Sequence, residues 1–254
     1  MLLPSAVVER PFNIVNAFYN QYFQASDWIV NAGAVNSVSF SNVINFSPTV
    51  VSALMTLSNV FRRTSKITND WTISGSFYAD WGGSVSWIGA GLFVGGNGTS
   101  GQQTGISVYV SGQSNFSVSA VLNLNGTNIA TVWSSGWVSS FNLEVQRKGM
   151  TLFITIWTSG NKPQFPTYTY VISDSYQYQD NTYGVNGLGQ DNPSGVRGRN
   201  YCTVFSFKQN DYTSNLIYDL PNQTGNKITI SSALPIANTA NERPTMFGVA
   251  GYLG

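Results

Sequence analysis

The sequence predicts an all-β chain: an antiparallel two-sheet β-sandwich with short helical or irregular extensions at its ends. Three observations carry this. From Trp71 to Trp81 every odd position is apolar or glycine, while the even ones are mostly small and polar. Such alternation gives a strand one face for a core and one for water. The same period of two recurs at Ile106/Val108/Val110, at Phe116/Val118/Ala120/Leu122/Leu124 and at Phe141/Leu143/Val145, and glycine-bearing turn signals separate the runs. At 254 residues one large β-domain fits better than two independent ones. Its expected boundaries are an N-terminal extension 1–27, a sandwich 28–208 and a C-terminal extension 209–254.

Residues 11–27 place Phe12, Val15, Phe18, Tyr19, Tyr22 and Phe23 at about helical spacing after Pro11. A short aromatic helix and a strand both fit. Residues 28–46 look extended, with Val38, Phe40, Ile44 and Phe46 as buried candidates. Ser47-Pro48 offers a helix N-cap and a first-turn proline. Val50, Val51, Leu54, Leu57 and Phe61 then line one face up to Arg62-Arg63, which suit a helix C-terminus. The mediocre helix propensity of Val, Thr and Ser leaves a strand pair as the alternative.

From Asp70 the strand signals are firmer. Asn125-Gly126 lies between two apolar runs and marks a hairpin, because both turn positions need positive φ. Arg147-Lys148-Gly149-Met150 separates Phe141–Gln146 from Leu152–Trp157 in the same manner. Gly82-Gly83 and Gly95–Gly101 are expected as flexible rim loops, and 159–166, with Pro163 and Pro166, as a connection. Tyr168–Ser173, Tyr183–Leu188 and Tyr201–Lys208 supply later strands, with Lys227–Ser231 as one more. The tail Met246–Gly254 is apolar and glycine-rich.

The chain is 42% hydrophobic and 14% aromatic, enough to fill a large core, yet only 9% charged. An ordinary soluble domain carries roughly 25%. A net charge of +1, with no basic block beyond Arg62-Arg63 and Arg147-Lys148, argues against nucleic acid or anionic lipid as a partner. No stretch approaches the roughly 20 apolar residues of a membrane helix. Histidine is absent, which removes Ser-His-Asp chemistry, His-based metal sites and the side chain that titrates near neutrality. Only eleven Asp and Glu residues leave acid few anions to neutralise, so tolerance of acid is expected. Cys202 stands alone, forms no intramolecular disulfide and is expected as a buried strand residue. No signal peptide is legible in the numbered chain. A composition suited to the exterior without that signal fits exposure on a virion or another extracellular surface.

Hydrolysis of glycosides normally needs two carboxylates flanking the bond. The glutamates are Glu9, Glu144 and Glu242, and Glu144 is alone on the polar face of its strand. An Asp70/Asp80 pair, or Glu144 with Gln102 or Gln103 in an acid-active peptidase, are the remaining options; such aspartates more often cap turns. Gly95-Gly96-Asn97-Gly98 lacks the following helix and Lys of a phosphate loop. No catalytic or metal-ligating constellation emerges and no cofactor is implied. Sugars, by contrast, are held by aromatic faces and neutral hydrogen-bonding groups. Trp81 and Trp87 flank Gly82-Gly83, Trp133 and Trp137 flank Ser134-Ser135-Gly136, and Asp191, Asn192, Arg197 and Arg199 occupy a Gly/Pro-rich loop. These are the candidate ligand contacts. The competing role for each Trp is packing in or at the end of the core.

The order of signals resembles the concanavalin A-like lectin/glucanase superfamily, especially its laminin-G-like members. The resemblance rests on a strand of the type Asp70-Trp-Thr-Ile-Ser-Gly-Ser-Phe-Tyr, then the Gly-rich Ile88-Gly-Ala-Gly-Leu-Phe-Val-Gly-Gly and the short Gly105-Ile-Ser-Val-Tyr-Val. Phe141-Asn-Leu-Glu-Val-Gln-Arg-Lys-Gly-Met-Thr-Leu-Phe-Ile follows, where an Arg precedes a Gly turn. The likeness spans about residues 70–208, and a viral jelly roll remains the competing sandwich. It implies binding of glycans or proteins, or glycan hydrolysis. The glucanase pattern of alternating Glu, Asp and Glu does not carry over, since Asn142 and Gln146 flank Glu144. The acidic cluster of a lectin calcium site is also missing.

The leading expectation is a non-enzymatic structural component of a particle, a virion capsid or attachment protein foremost. It would assemble through its termini as a homo-oligomer or with other structural proteins. The alternative is a carbohydrate-binding, lectin-like module, and the third option is an acid-active glycan hydrolase.

Overall fold

The computed structural model describes residues 23–34, 36–51, 56–80 and 85–209. Fifteen strands build two sheets. The first runs in the order β1 (Ile29–Asn31), β4 (Ser58–Arg63), β13 (Thr182–Gly187), β6 (Val85–Val94), β7 (Ile106–Gln113), β8 (Val118–Leu124) and β9 (Thr127–Ser135). The second runs β2 (Asn36–Phe40), β3 (Ile44–Pro48), β15 (Val196–Gln209), β5 (Asp70–Asp80), β10 (Ser140–Lys148), β11 (Thr151–Trp157) and β12 (Tyr168–Val171). Neighbours within each sheet are antiparallel. The two sheets join at one corner, where the start of β15 runs parallel to the start of β6, with Val196 opposite Val85. The short β14 (Gln190–Asp191) pairs back onto β15 there.

The sheets pack face to face, as the expected sandwich requires. A Cβ on Gly75 of β5 would lie 3.2 Å from Leu92 of β6, and one on Gly187 of β13 would lie 2.5 Å from the Phe46 ring of β3. Tyr183 of β13 stacks on Phe207 of β15 at 4.0 Å. Along β5 every odd residue from Trp71 to Ala79 is buried, and on the facing sheet Ile88, Ala90, Leu92, Val108, Val110, Ala120 and Leu122 point inward. At about 25 cal/mol per Å² this apolar burial is the main force holding the layers together.

Several expectations need correction. Of the helix and the strand pair left open after Ser47-Pro48, the described residues favour strands: Ile44–Pro48 and Ser58–Arg63 are strands, and residues 52–55 lie outside the described residues. The reason is double-sided burial, since Val60 faces the core while Phe61 packs on Phe93 on the opposite side. Phe116 is exposed in the turn before β8 rather than inward. The segment holding Arg197 and Arg199 is strand, not loop, because β15 begins at Val196. The expected loop at Gly95–Gly101 is present, within 95–105, and lies against the sheet: Gly98 rests on the Phe61 ring, and Gly101 N–H donates to Leu57 O at 2.7 Å.

Other expectations coincide with the structure. Asn125 and Gly126 turn β8 into β9 with φ of 48° and 91°, and Gly149 turns β10 into β11 at φ 58°. Cys202 is fully buried in β15. The proposed helix at 11–27 lies mostly outside the described residues, as do the strand 227–231 and the tail; Ala25–Asp27 is one 3-10 turn.

Candidate functional site

The corner where the sheets join builds a site from residues far apart in sequence. β5 ends at Asp80, β14 carries Gln190 and Asp191, and β15 opens with Arg197, Gly198 and Arg199. Because side chains alternate along a strand, Arg197 and Arg199 share one face of β15. Together with Pro48 these residues line a shallow surface depression. Arg197 Nε lies 3.2 Å from Asp191 Oδ1, and Arg199 Nη1 lies 4.0 Å from Asp80 Oδ2. The four charges therefore cancel in pairs, while each guanidinium keeps further N–H donors.

Gln190 is the unusual member. It is only 5% exposed, and its Oε1 is buried without a hydrogen-bond partner. A buried acceptor left unpaired costs about 1–3 kcal/mol unless something fills it. Beside it, Tyr201 O–H donates to Asp80 Oδ2 at 3.3 Å. The Tyr78 ring stacks on Tyr201 at 4.4 Å and is 37% exposed. Partial burial first, then the Asp80 charge, raises both phenols above their ordinary value, so both stay neutral donors. The exposed arrangement offers an aromatic ring, paired carboxylates and guanidinium donors.

Of the residues expected from sequence, the structure brings together Asp191, Arg197 and Arg199. Asn192 instead closes the turn that presents them, accepting from the N–H groups of Ser194 and Val196. Trp87 lies on the other side of Gly198, with its carbonyl 2.7 Å from where a Cβ there would sit. Trp133 and Trp137 pack against the core, and neither lines the depression. Trp81 lies outside the described residues. Sequence reasoning missed Gln190, Tyr78 and Tyr201. Tyr78 carried a usable signal, an aromatic ring on the solvent phase of an alternating strand; Gln190 carried none.

The hydrolytic options lose their geometry. Glu144 lies on the outer face of the second sheet, paired with Lys162, whereas Gln102 lies over the outer face of the first, its carbonyl accepting from Asn59 Nδ2. Asp70 and Asp80 sit at opposite ends of β5.

The sequence matches no protein-family model and no curated protein. Its fold does find relatives among solved structures. The mannose- and Ca²⁺-bound exoplasmic/lumenal domain of VIP36 matches with a TM-score of 0.51 at 11% identity, over 73% of this chain and 84% of that one. A seed lectin isoform of Lotus tetragonolobus matches with a TM-score of 0.51 at 14% identity, over 76% and 96%. At this identity the likeness shows a shared β-sandwich fold, in line with the concanavalin A-like resemblance of the sequence. The Ca²⁺ of the VIP36 form has no equivalent donor set here: among the described residues no three acidic, His or Cys side chains cluster. No helix among those residues is long and apolar enough to cross a membrane. A virion structural role draws no support from these neighbours, and the terminal segments assigned to assembly lie largely outside the described residues.

Proposed function

We propose that this chain is a carbohydrate-binding, lectin-like module of an extracellular or lumenal surface. Its saccharide occupies the corner depression between β5, β14 and β15. The observation that carries this reading is the corner itself: Asp80, Asp191, Arg197 and Arg199 present carboxylate acceptors and guanidinium donors around one solvent-exposed depression, with the exposed Tyr78 ring on the same sheet face. The carboxylates accept from sugar hydroxyls, and the guanidinium groups donate to ring or hydroxyl oxygens. The exposed Tyr78 face takes the apolar C–H face of the ring. The lectin folds of the structural neighbours support the same ligand class.

A glycan array on the purified chain, followed by calorimetry with the best ligand, tests it. Arg197→Ala and Arg199→Ala should each weaken binding about tenfold or more, the equivalent of about 1.4 kcal/mol, without lowering Tm. Full affinity in both variants would reject the site.

A further inference from the structure

A second feature lies on the outer face of the first sheet, away from the corner depression and independent of it. Reading across the strands, Asn31 of β1 stands opposite Asn59 of β4, Asn59 opposite Asn186 of β13, Asn186 opposite Gly91 of β6, and Gly91 opposite Tyr109 of β7. This row spends its amide donors on the β6–β7 loop and its surroundings. Asn31 Nδ2 donates to Gly98 O, Asn59 Nδ2 to Thr99 O and to Gln102 O at 3.1 Å, and Asn186 Nδ2 to Ser107 Oγ at 3.3 Å. Polar atoms of both kinds are left over. Asn59 Oδ1, Asn186 Oδ1, Tyr109 OH and Trp87 Nε1 are all buried without a partner, as is Gln103 Oε1 on the loop itself. Asn59 and Asn186 are 0% exposed and Tyr109 is 7% exposed.

Three of these atoms converge on two glycines. A Cβ on Gly89 would lie 2.5 Å from Tyr109 OH and 2.9 Å from Trp87 Nε1, and one on Gly91 would lie 2.8 Å from Asn186 Oδ1. Leu57, Leu188 and Tyr109 pack together beside Trp87 as an apolar wall separate from the main core. Over the row lies the loop 95–105, whose Gly95, Gly98, Gly101 and Gly105 all have φ between 67° and 77°. It is held by several hydrogen bonds, among them Gly101 N–H to Leu57 O, Gly98 N–H to Thr104 Oγ1 and Gly105 N–H to Gln179 Oε1, besides those from the Asn31 and Asn59 amides. Several buried polar groups without partners make the closed arrangement costly, and a polar occupant would remove that cost.

We propose that this face is a second binding site, closed by the 95–105 loop and made for an uncharged, hydroxyl-bearing ligand such as a neutral saccharide unit. Trp87 Nε1 donates to it, Tyr109 OH donates or accepts, and Asn59 and Asn186 accept. No charged side chain belongs to the cluster, so a charged ligand would enter uncompensated. Burial keeps the Tyr109 phenol neutral, in line with this assignment.

The test uses the full chain carrying Arg199→Ala, so that the corner depression is weakened. Amide hydrogen exchange of residues 98–104 is followed while neutral gluco-, galacto- and manno-oligosaccharides are titrated in. At least one should change exchange at the Gly98 and Gly101 amides saturably. Tyr109→Phe should abolish that change while leaving Tm equal to or above the parent value, because it deletes an unpaired hydroxyl. Trp87→Phe should weaken the change about tenfold. The proposal is overturned if no saccharide alters exchange, if Tyr109→Phe responds like the parent, or if Tyr109→Phe lowers Tm by several degrees. Loss of saccharide binding in the corner alone leaves this readout intact, so the two sites fail separately.

Discussion

Arg147 shows how single residues are settled by their surroundings. It is 3% exposed, and no carboxylate pairs with it among the described ion pairs. Its charge is met by neutral acceptors instead. Nε donates to Gly149 O at 2.8 Å and Nη1 to Tyr178 OH at 2.6 Å, with the Tyr176 and Tyr178 rings alongside. Tyr178 OH also accepts from Trp71 Nε1 and donates to Thr68 O. Tyr178→Phe leaves two buried donors without an acceptor and should destabilise the fold by about 2–4 kcal/mol in urea unfolding. Burial also sets the response to base. It raises the Tyr109, Tyr176, Tyr178 and Cys202 groups above ordinary values of 10.0 for the phenols and 9.0 for the thiol. Above about pH 9 the unfolded chain releases protons that the folded chain retains. Stability is therefore full below that pH and falls as pH rises further, which a series of urea midpoints from pH 7 to 11 would show.

Elements were legible where one face is wet. The alternation in β5 and β10 and the turns at Asn125-Gly126 and Gly149 appear in the sequence because a half-buried strand writes its two faces as two residue classes. β4, β6 and β13 are buried on both faces, so their periodicity vanishes and Ser47–Phe61 passes for a helix. β15 adds a bulge between Cys202 and Val204 that shifts the inward positions from Asn200 and Cys202 to Phe205 and Phe207. Within β6 and β5 glycines admit close neighbours. A Cβ at Gly91 would collide with the Val108 backbone carbonyl, which cannot yield, whereas at Gly75 it meets the Phe77 and Leu92 side chains, which can. Gly91→Ala should therefore cost more than Gly75→Ala, the latter being about 1–3 kcal/mol, as measured by thermal unfolding of both variants.

At the scale of the molecule, both proposed sites are built from residues between 48 and 199. A chain ending at Gln209 should bind the array-selected saccharide with unchanged affinity, and calorimetry beside the full chain checks this. The sequence by itself determined the all-β class, the positions of the hairpin turns and a surface poor in charge, because these follow from local periodicity and composition. It also singled out Asp191, Arg197 and Arg199. Only the tertiary structure decided that Asp80 and Gln190 join them, that Trp133 and Trp137 serve the core, and that the 95–105 loop covers an amide row. Those outcomes depend on which strands pair and which faces pack. Such pairings bring together residues about a hundred positions apart, and no local pattern in the chain encodes them.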